Sequence, residues 1–158
     1  MVQESKVEYY NSLPRKRSAV GVLIFREGKI LTLEPAYKTN WVVPGGVVER
    51  SESPFEAAIR ECEEEIGQKV TITKFLCADY KRGNPEIGDA VHFLFLGELS
   101  GSAVIKTDEK EIKQFLWLNP EEALEKFDSH LSVRVRAGLE ALKEGLPYYC
   151  EDGEVLFK

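Results

Sequence analysis

An α+β fold, an α/β/α sandwich with one mixed β-sheet between helices, is predicted by three features of the chain. Short β-rich segments and helical segments are interspersed along it, with no internal repeat, linker or low-complexity stretch between them. At 158 residues, 43% hydrophobic and 30% charged, it has the size and composition of one globular domain, 1–158, long enough to bury a core. Its most strongly patterned stretch, the 23 residues from Gly45 to Gly67, is a glycine turn that opens into an acid-rich helix, and the rest reads as scaffold for it.

Taken in order, residues 1–17 are polar, with Tyr9, Tyr10 and the basic run Pro14 to Arg17, and read as a flexible N-terminal arm or a short strand. Ala19 to Phe25 and Lys29 to Glu34 are β-rich and joined by Arg26-Glu27-Gly28, a hairpin turn with glycine where the left-handed conformation is needed. Residues 34–40 form a loop into a strand at Trp41-Val42-Val43, which ends in Pro44-Gly45-Gly46. Beyond the acidic helix, strands are predicted over 69–80, 90–99 and 112–118, separated by the polar loops 81–89 and 101–110. Asn119-Pro120 caps a short helix to Phe127, and 131–145 is an amphipathic helix with Leu131, Val135, Leu139 and Leu142 on one side. Residues 146–158 read as a tail hairpin around Asp152-Gly153, pairing either within the domain or with a second subunit in a homodimer.

The central helix has explicit ends. Ser53, Pro54 and Glu56 form a capping box with proline at the first helical position, and Gly67 is the left-handed stop. At about 100° per residue, Phe55, Ala58, Ile59, Cys62 and Ile66 share the apolar arc. Glu61, Glu64 and Glu65 fall beside it, and Glu63 on the far flank. Like charges three or four residues apart cost roughly 0.2–0.5 kcal/mol each, and acids in the last turn oppose the helix dipole. A solvated acidic face would not be built that way. Carboxylates gathered against their own repulsion suit a hard divalent cation, magnesium or manganese, and the glycine turn offers close backbone approach and free carbonyl oxygens.

Composition removes several alternatives. A net charge of −6 argues against nucleic-acid polymers and anionic membranes as partners, so phosphate binding must be local. Cys62, Cys77 and Cys150 show neither disulfide-framework nor zinc spacing, which fits the reducing cytoplasm. No apolar run is long enough to span a bilayer. His92 and His130 are isolated and read as core or surface residues.

From Gly46 the chain reads glycine, five residues, Glu52, seven residues, Arg60-Glu61-Cys62, one residue, Glu64-Glu65, one residue, Gly67. This spacing resembles the signature of the Nudix hydrolases. Gln68 departs from it, standing where the pattern has an aliphatic residue. The resemblance implies the sandwich fold and magnesium held by Glu61, Glu64 and Glu65 with a backbone carbonyl of Gly45 or Gly46. It also implies an orienting ion pair between Arg60 and Glu52. A further acid from outside the motif is implied, for which Glu111 fits best, ahead of Glu109 and Asp108. Water attack is expected, with Glu61, Glu64 or another of these acids as base, on the pyrophosphate linkage of a nucleotide-type substrate such as a nucleoside triphosphate, ADP-ribose or a nucleotide sugar. Tyr37, Trp41 and Phe93 are candidates to stack on a base, and Pro85 is a weak pointer to ADP-ribose. The alternative is a catalytically silent member that binds nucleotides as a sensor or interaction module.

Overall fold

The computed structural model describes residues 6–158. Helix α1 (Lys6–Ser12) and strands β1 (Arg17–Arg26) and β2 (Lys29–Pro35) are followed by helix α2 (Pro54–Ile66). Strands β3 (Thr71–Lys81), β4 (Ala90–Glu98) and β5 (Ile112–Leu118) come next, then helices α3 (Pro120–Lys126) and α4 (Ser129–Glu144), and strands β6 (Tyr148–Glu151) and β7 (Glu154–Phe157). The seven strands form one sheet in the order β5-β2-β1-β4-β3-β6-β7. It is mixed as predicted: β1 with β4 and β3 with β6 run parallel, and the remaining pairs antiparallel.

Helices cover both faces of the sheet. On one side Leu23, Leu94, Val135, Ala141 and Tyr148 pack beneath α3 and α4; on the other Val22, Ile24, Leu31, Cys62, Ile66 and Phe95 pack beneath α2. Because both faces are buried, β1 and β2 read as nearly unbroken apolar runs. The tail hairpin closes the sheet from within the chain, since β6 pairs with β3 over Cys77↔Tyr148 to Tyr80↔Glu151.

Two expected elements differ. The polar start of the chain, expected as an arm or strand, is helical over 6–12 with every residue exposed, while residues 1–5 of that arm lie outside the described residues. Trp41-Val42-Val43 forms no strand of its own. Its backbone groups are divided among three partners: Val42 exchanges hydrogen bonds with Leu33, Trp41 donates to the Lys126 carbonyl, and Pro44 accepts from Val22. No ladder can grow from such a split.

That split follows from the way β1 and β2 diverge. They pair only at Phe25↔Ile30 and Arg26↔Lys29 beside the Glu27-Gly28 turn. Farther back along β1 the place of β2 is taken by residues 44–48, with Val20 donating to the Gly46 carbonyl and Val48 to that of Ser18. The glycine turn is therefore built into the middle of the sheet.

One buried ion pair fastens α4 to the sheet. Arg134 Nε donates to Asp79 Oδ2 at 2.9 Å with both side chains nearly inaccessible, and Asp79 Oδ1 accepts from the Gly153 amide. Removing one partner of such a pair strands the other charge, whereas removing both does not. Asp79→Ala is therefore expected to lower the unfolding free energy by about 3–5 kcal/mol in urea titrations. Combining it with Arg134→Met should restore much of that loss.

Candidate active site

The site is assembled from α2, the 44–48 segment and the loops on either side of β5. The predicted ends of α2 are both present. Ser53 accepts from the Glu56 amide while Glu56 accepts from that of Ser53, Pro54 opens the helix, and Gly67 closes it at φ 65°. The buried stripe is narrower than the wheel suggests: Ala57, Ala58, Cys62, Glu65 and Ile66 are buried, while Phe55 is 51% exposed. Small residues let α2 lie close on β1, and Phe55, in the first turn, is left at the margin of that contact.

Arg60 is the centre of the acid cluster. Its Nε and Nη2 bind the two carboxylate oxygens of Glu52 at 2.8 and 3.0 Å. Nη1 donates to Glu61 at 2.8 Å and to Glu64 at 3.0 Å, and Nη2 also reaches the Val47 carbonyl. One guanidinium thus holds three carboxylates and the glycine segment together. The Glu52 carboxyl is lowered by Arg60 first and by the Glu49 amide second, and the Arg60 guanidinium is raised, chiefly by Glu52.

The three helix acids occupy different environments. Glu65 is buried on the inner side, where its Oε2 accepts from the Gly45 amide at 2.8 Å. Burial raises its carboxyl to about 8, Glu61 and Glu111 add to this, and the Gly45 amide and Lys38 oppose it. Glu61 is partly buried and also raised, by burial first, against the pull of Arg60. Glu64 points outward, with 54% of its side chain exposed. Glu63 is exposed, as expected.

Both glycines of the turn are required by space. At Gly45 φ is 150° and a Cβ would run into the Val20 carbonyl; at Gly46 a Cβ would meet the Glu61 carboxylate. Of their two carbonyls, that of Gly46 accepts from Val20, while no donor reaches that of Gly45 among the described residues.

Gln68 has a role of its own, donating to the Val104 carbonyl at 2.7 Å. The Lys106 amide meets the Ile66 carbonyl, so the 101–110 loop seals the end of α2 and delivers Glu111 toward the site. There Glu111 is exposed, its carbonyl accepts from Ala36, and its charge acts on both Glu65 and Tyr37. Asp108 instead accepts from the Lys110 amide within its own turn, and Glu109 is exposed. Tyr37 stands 75% exposed beside the acids, its hydroxyl raised by partial burial and then by Glu65, Glu111 and Glu61. Trp41 departs from its expected position at a substrate. It is buried in the core under α3, with the Lys126 ammonium 4.9 Å from its ring centroid, so packing has claimed the face a base would use. Phe93 is partly buried against the α2-side core, near Phe75.

A cleft of about 420 Å³ runs from Tyr37, Lys38, Gly45, Gly46 and Glu65 to a far end formed by Arg17, Lys81, His92, His130 and Arg134. The far end escapes sequence reasoning because its residues come from β1, β3, β4 and α4 with no shared spacing. The one local sign is that Arg17 and Lys81 stand at the ends of strands.

No three acidic, histidine or cysteine side chains among the described residues are close enough together to grip a metal ion. The donors are nevertheless all oxygens, and the gap that a Cβ at Gly46 would fill lies against Glu61. That chemistry fits a hard divalent cation, with Arg60 holding the acids that such an ion would otherwise gather.

Residues 15–136 match the model of the NUDIX domain family. The chain is 30% identical over 110 residues to CTP pyrophosphohydrolase of Escherichia coli, covering 67% of this chain and 78% of that protein. It is also 30% identical over 138 residues to human diphosphoinositol polyphosphate phosphohydrolase 2, covering 83% and 72% respectively. In fold it is similar to the MutT protein of Methanosarcina mazei Go1, with a TM-score of 0.67, 22% identity, and coverage of 85% of this chain and 99% of that one.

The raised Glu65 carboxyl makes a prediction for the metal-free protein. A carboxyl that binds its proton more tightly in the folded state favours folding while protonated, and that stability is lost as pH climbs from the ordinary carboxylate range through about 8. In EDTA, the unfolding free energy should fall over this window with a slope of at most about 1.4 kcal/mol per pH unit. Glu65→Gln should flatten it in denaturant titrations run at stepped pH.

Proposed function

Because this chain belongs to the Nudix hydrolase family, a pyrophosphohydrolase family, we propose that it is a magnesium- or manganese-dependent enzyme that cleaves the pyrophosphate linkage of a nucleoside diphosphate joined to another group. The observation that carries the proposal is the Arg60 clamp. It gathers Glu52, Glu61 and Glu64 beside a glycine turn whose amide is already bonded to Glu65. The buried thiols Cys62, Cys77 and Cys150 all stand free, which supports the cytoplasm as its compartment.

In this reading Glu61, Glu64, Glu65 and the Gly45 carbonyl hold the cation, with Glu111 contributing from the far side of the loop. When bound, the cation neutralises phosphate oxygens and activates water. The protein's own groups do the rest. Glu52 fixes the Arg60 guanidinium, and Arg60 fixes Glu61 and Glu64. Glu64, the most exposed of the three helix acids, accepts the proton of the attacking water. Gly45 and Gly46 let the diphosphate approach the backbone, and Tyr37 offers an exposed ring for a base to stack on. Cys62, the thiol beside these acids, is fully buried and is kept protonated by burial and then by Glu65 and Glu61, which supports direct attack by water rather than a covalent intermediate.

The two relatives named above act on quite different molecules, CTP and diphosphoinositol polyphosphates, so the test is a panel. Nucleoside triphosphates, ADP-ribose, nucleotide sugars, NADH and dinucleoside polyphosphates would be incubated with magnesium in oxygen-18 water and the products read by mass spectrometry. Turnover with label in a phosphate product is expected. Glu64→Gln should reduce it by orders of magnitude, while Glu63→Gln should leave it nearly unchanged. Binding of a panel member without turnover above the Glu64→Gln background would instead indicate a silent, nucleotide-binding member of the family.

A further inference from the structure

On the reading of this cleft as the substrate site, we propose that its far end, formed by Arg17, Lys81, His92 and Arg134, binds a phosphate group of the substrate other than those of the cleaved linkage. The strand register creates the place. Arg17 and Lys81 are paired to the same residue, Ala90, from either side, and one step along, Ala19 and Asp79 flank His92 in the same way. Residues paired across neighbouring strands project from one face of the sheet. Two cationic side chains therefore rise on either side of a small residue, with His92 on the strand between them, flanked by the small Ala19 on one side and on the other by Asp79, which is turned to Arg134. The missing bulk at Ala19 and Ala90 is the room for a ligand.

Two of the charges here, Arg17 and Lys81, are uncompensated, in contrast to their immediate neighbours, while Arg134 is paired with Asp79. Lys16 pairs with Asp89, and Arg82 pairs with Glu151 and Asp152. Arg17 and Lys81, each one residue away from these and turned to the other face, form no ion pair among the described residues, although the chain has 27 acids to 21 bases. Arg134 reaches the same end of the cleft; its Nε is occupied by Asp79, and its other guanidinium nitrogens have no hydrogen-bond partner among the described residues. Of the two acids at this end, Asp79 is taken up by Arg134 and the Gly153 amide, and Asp128 is turned to the Leu131 amide as the cap of α4. The His92 imidazole is lowered to about 4, first by burial and then by Arg134; Asp79 opposes this, and Lys81 and Arg17 add to it. At neutral pH it is an uncharged hydrogen-bond donor with no protein partner among the described residues.

Like charges brought together without counter-charges repel, and this repulsion is relieved by an anion carrying more than one negative charge. Two guanidinium groups, an ammonium and an imidazole N–H match the three terminal oxygens of a phosphomonoester better than the two of a carboxylate. The acid-lined end takes the diphosphate, and the cation-lined end takes a second phosphate carried elsewhere on the substrate.

The test uses binding without turnover and then turnover. In EDTA at fixed ionic strength, where the acid-lined end repels anions, inorganic phosphate is titrated into the protein and followed by calorimetry. Wild type and Glu64→Gln should bind it alike, and Arg17→Met with Lys81→Met should weaken it at least tenfold. With magnesium, kcat/KM is then compared within pairs differing by one phosphomonoester: NADPH against NADH, and coenzyme A against its 3′-dephospho form. The phosphorylated member of at least one pair should be preferred at least tenfold, and the preference should collapse toward one in the double variant. Absence of phosphate binding, binding unaltered in the double variant, or hydrolysis without any such preference would each overturn the proposal. Phosphate binding that depends on Arg17 and Lys81, with neither these pairs nor any nucleotide of the earlier panel hydrolysed, would uphold the anion site and overturn the hydrolase reading instead.

Discussion

The structure of the site depends on how one guanidinium offsets the repulsion of an acidic helix. Glu52, Glu61 and Glu64 lie close enough to share Arg60, and without it each would push the others apart. Arginine is suited to this because its planar fork binds one carboxylate with two parallel bonds and still presents other hydrogens to the next. The same side chain reaches the Val47 carbonyl, so the acids and the glycine segment move as one body. Glu65 lies outside the clamp and is held by burial and the Gly45 amide instead.

The sheet explains why that body sits where it does. β1 and β2 part after two paired residues, and the gap admits the 44–48 segment, whose glycines pass so near β1 and Glu61 that no side chain fits. α2 then crosses on alanines and a cysteine, close enough to place Glu65 under the turn. The opposite face of the same opening leads along β1, β4 and β3 to the cation-lined end of the cleft. The split in the sheet thus joins an anionic wall, fit for a metal, to a cationic wall, fit for phosphate.

What the sequence discloses is local. The caps of α2, the Glu27-Gly28 turn and the Asp152-Gly153 turn are each written within a few consecutive residues, and each is present. The pairing of Arg60 with Glu52 was legible because both lie within one spaced motif. What the sequence hides depends on distant partners. Trp41 and Val42 have the composition of a strand, but the backbone of Trp41 is drawn to α3, that of Val42 to β2, and the Trp41 ring to the core and Lys126. Phe55 fits the apolar arc of α2 by angle alone, while the buried contact of the first turn is made by Ala57 and Phe55 is left at its margin. His92 and Arg134 acquire meaning only when β4 and α4 are brought together, and nothing near either of them in the chain announces it.

On the proposed reading, the acids of α2 are gathered for a divalent cation and held by Arg60 until it binds. Metal-free protein should therefore melt at a higher temperature in millimolar magnesium than in sodium chloride of equal ionic strength, because a ligand that selects the folded state stabilises it by mass action. Melting curves that coincide in EDTA, in magnesium and in matched sodium chloride would show that these acids hold no cation.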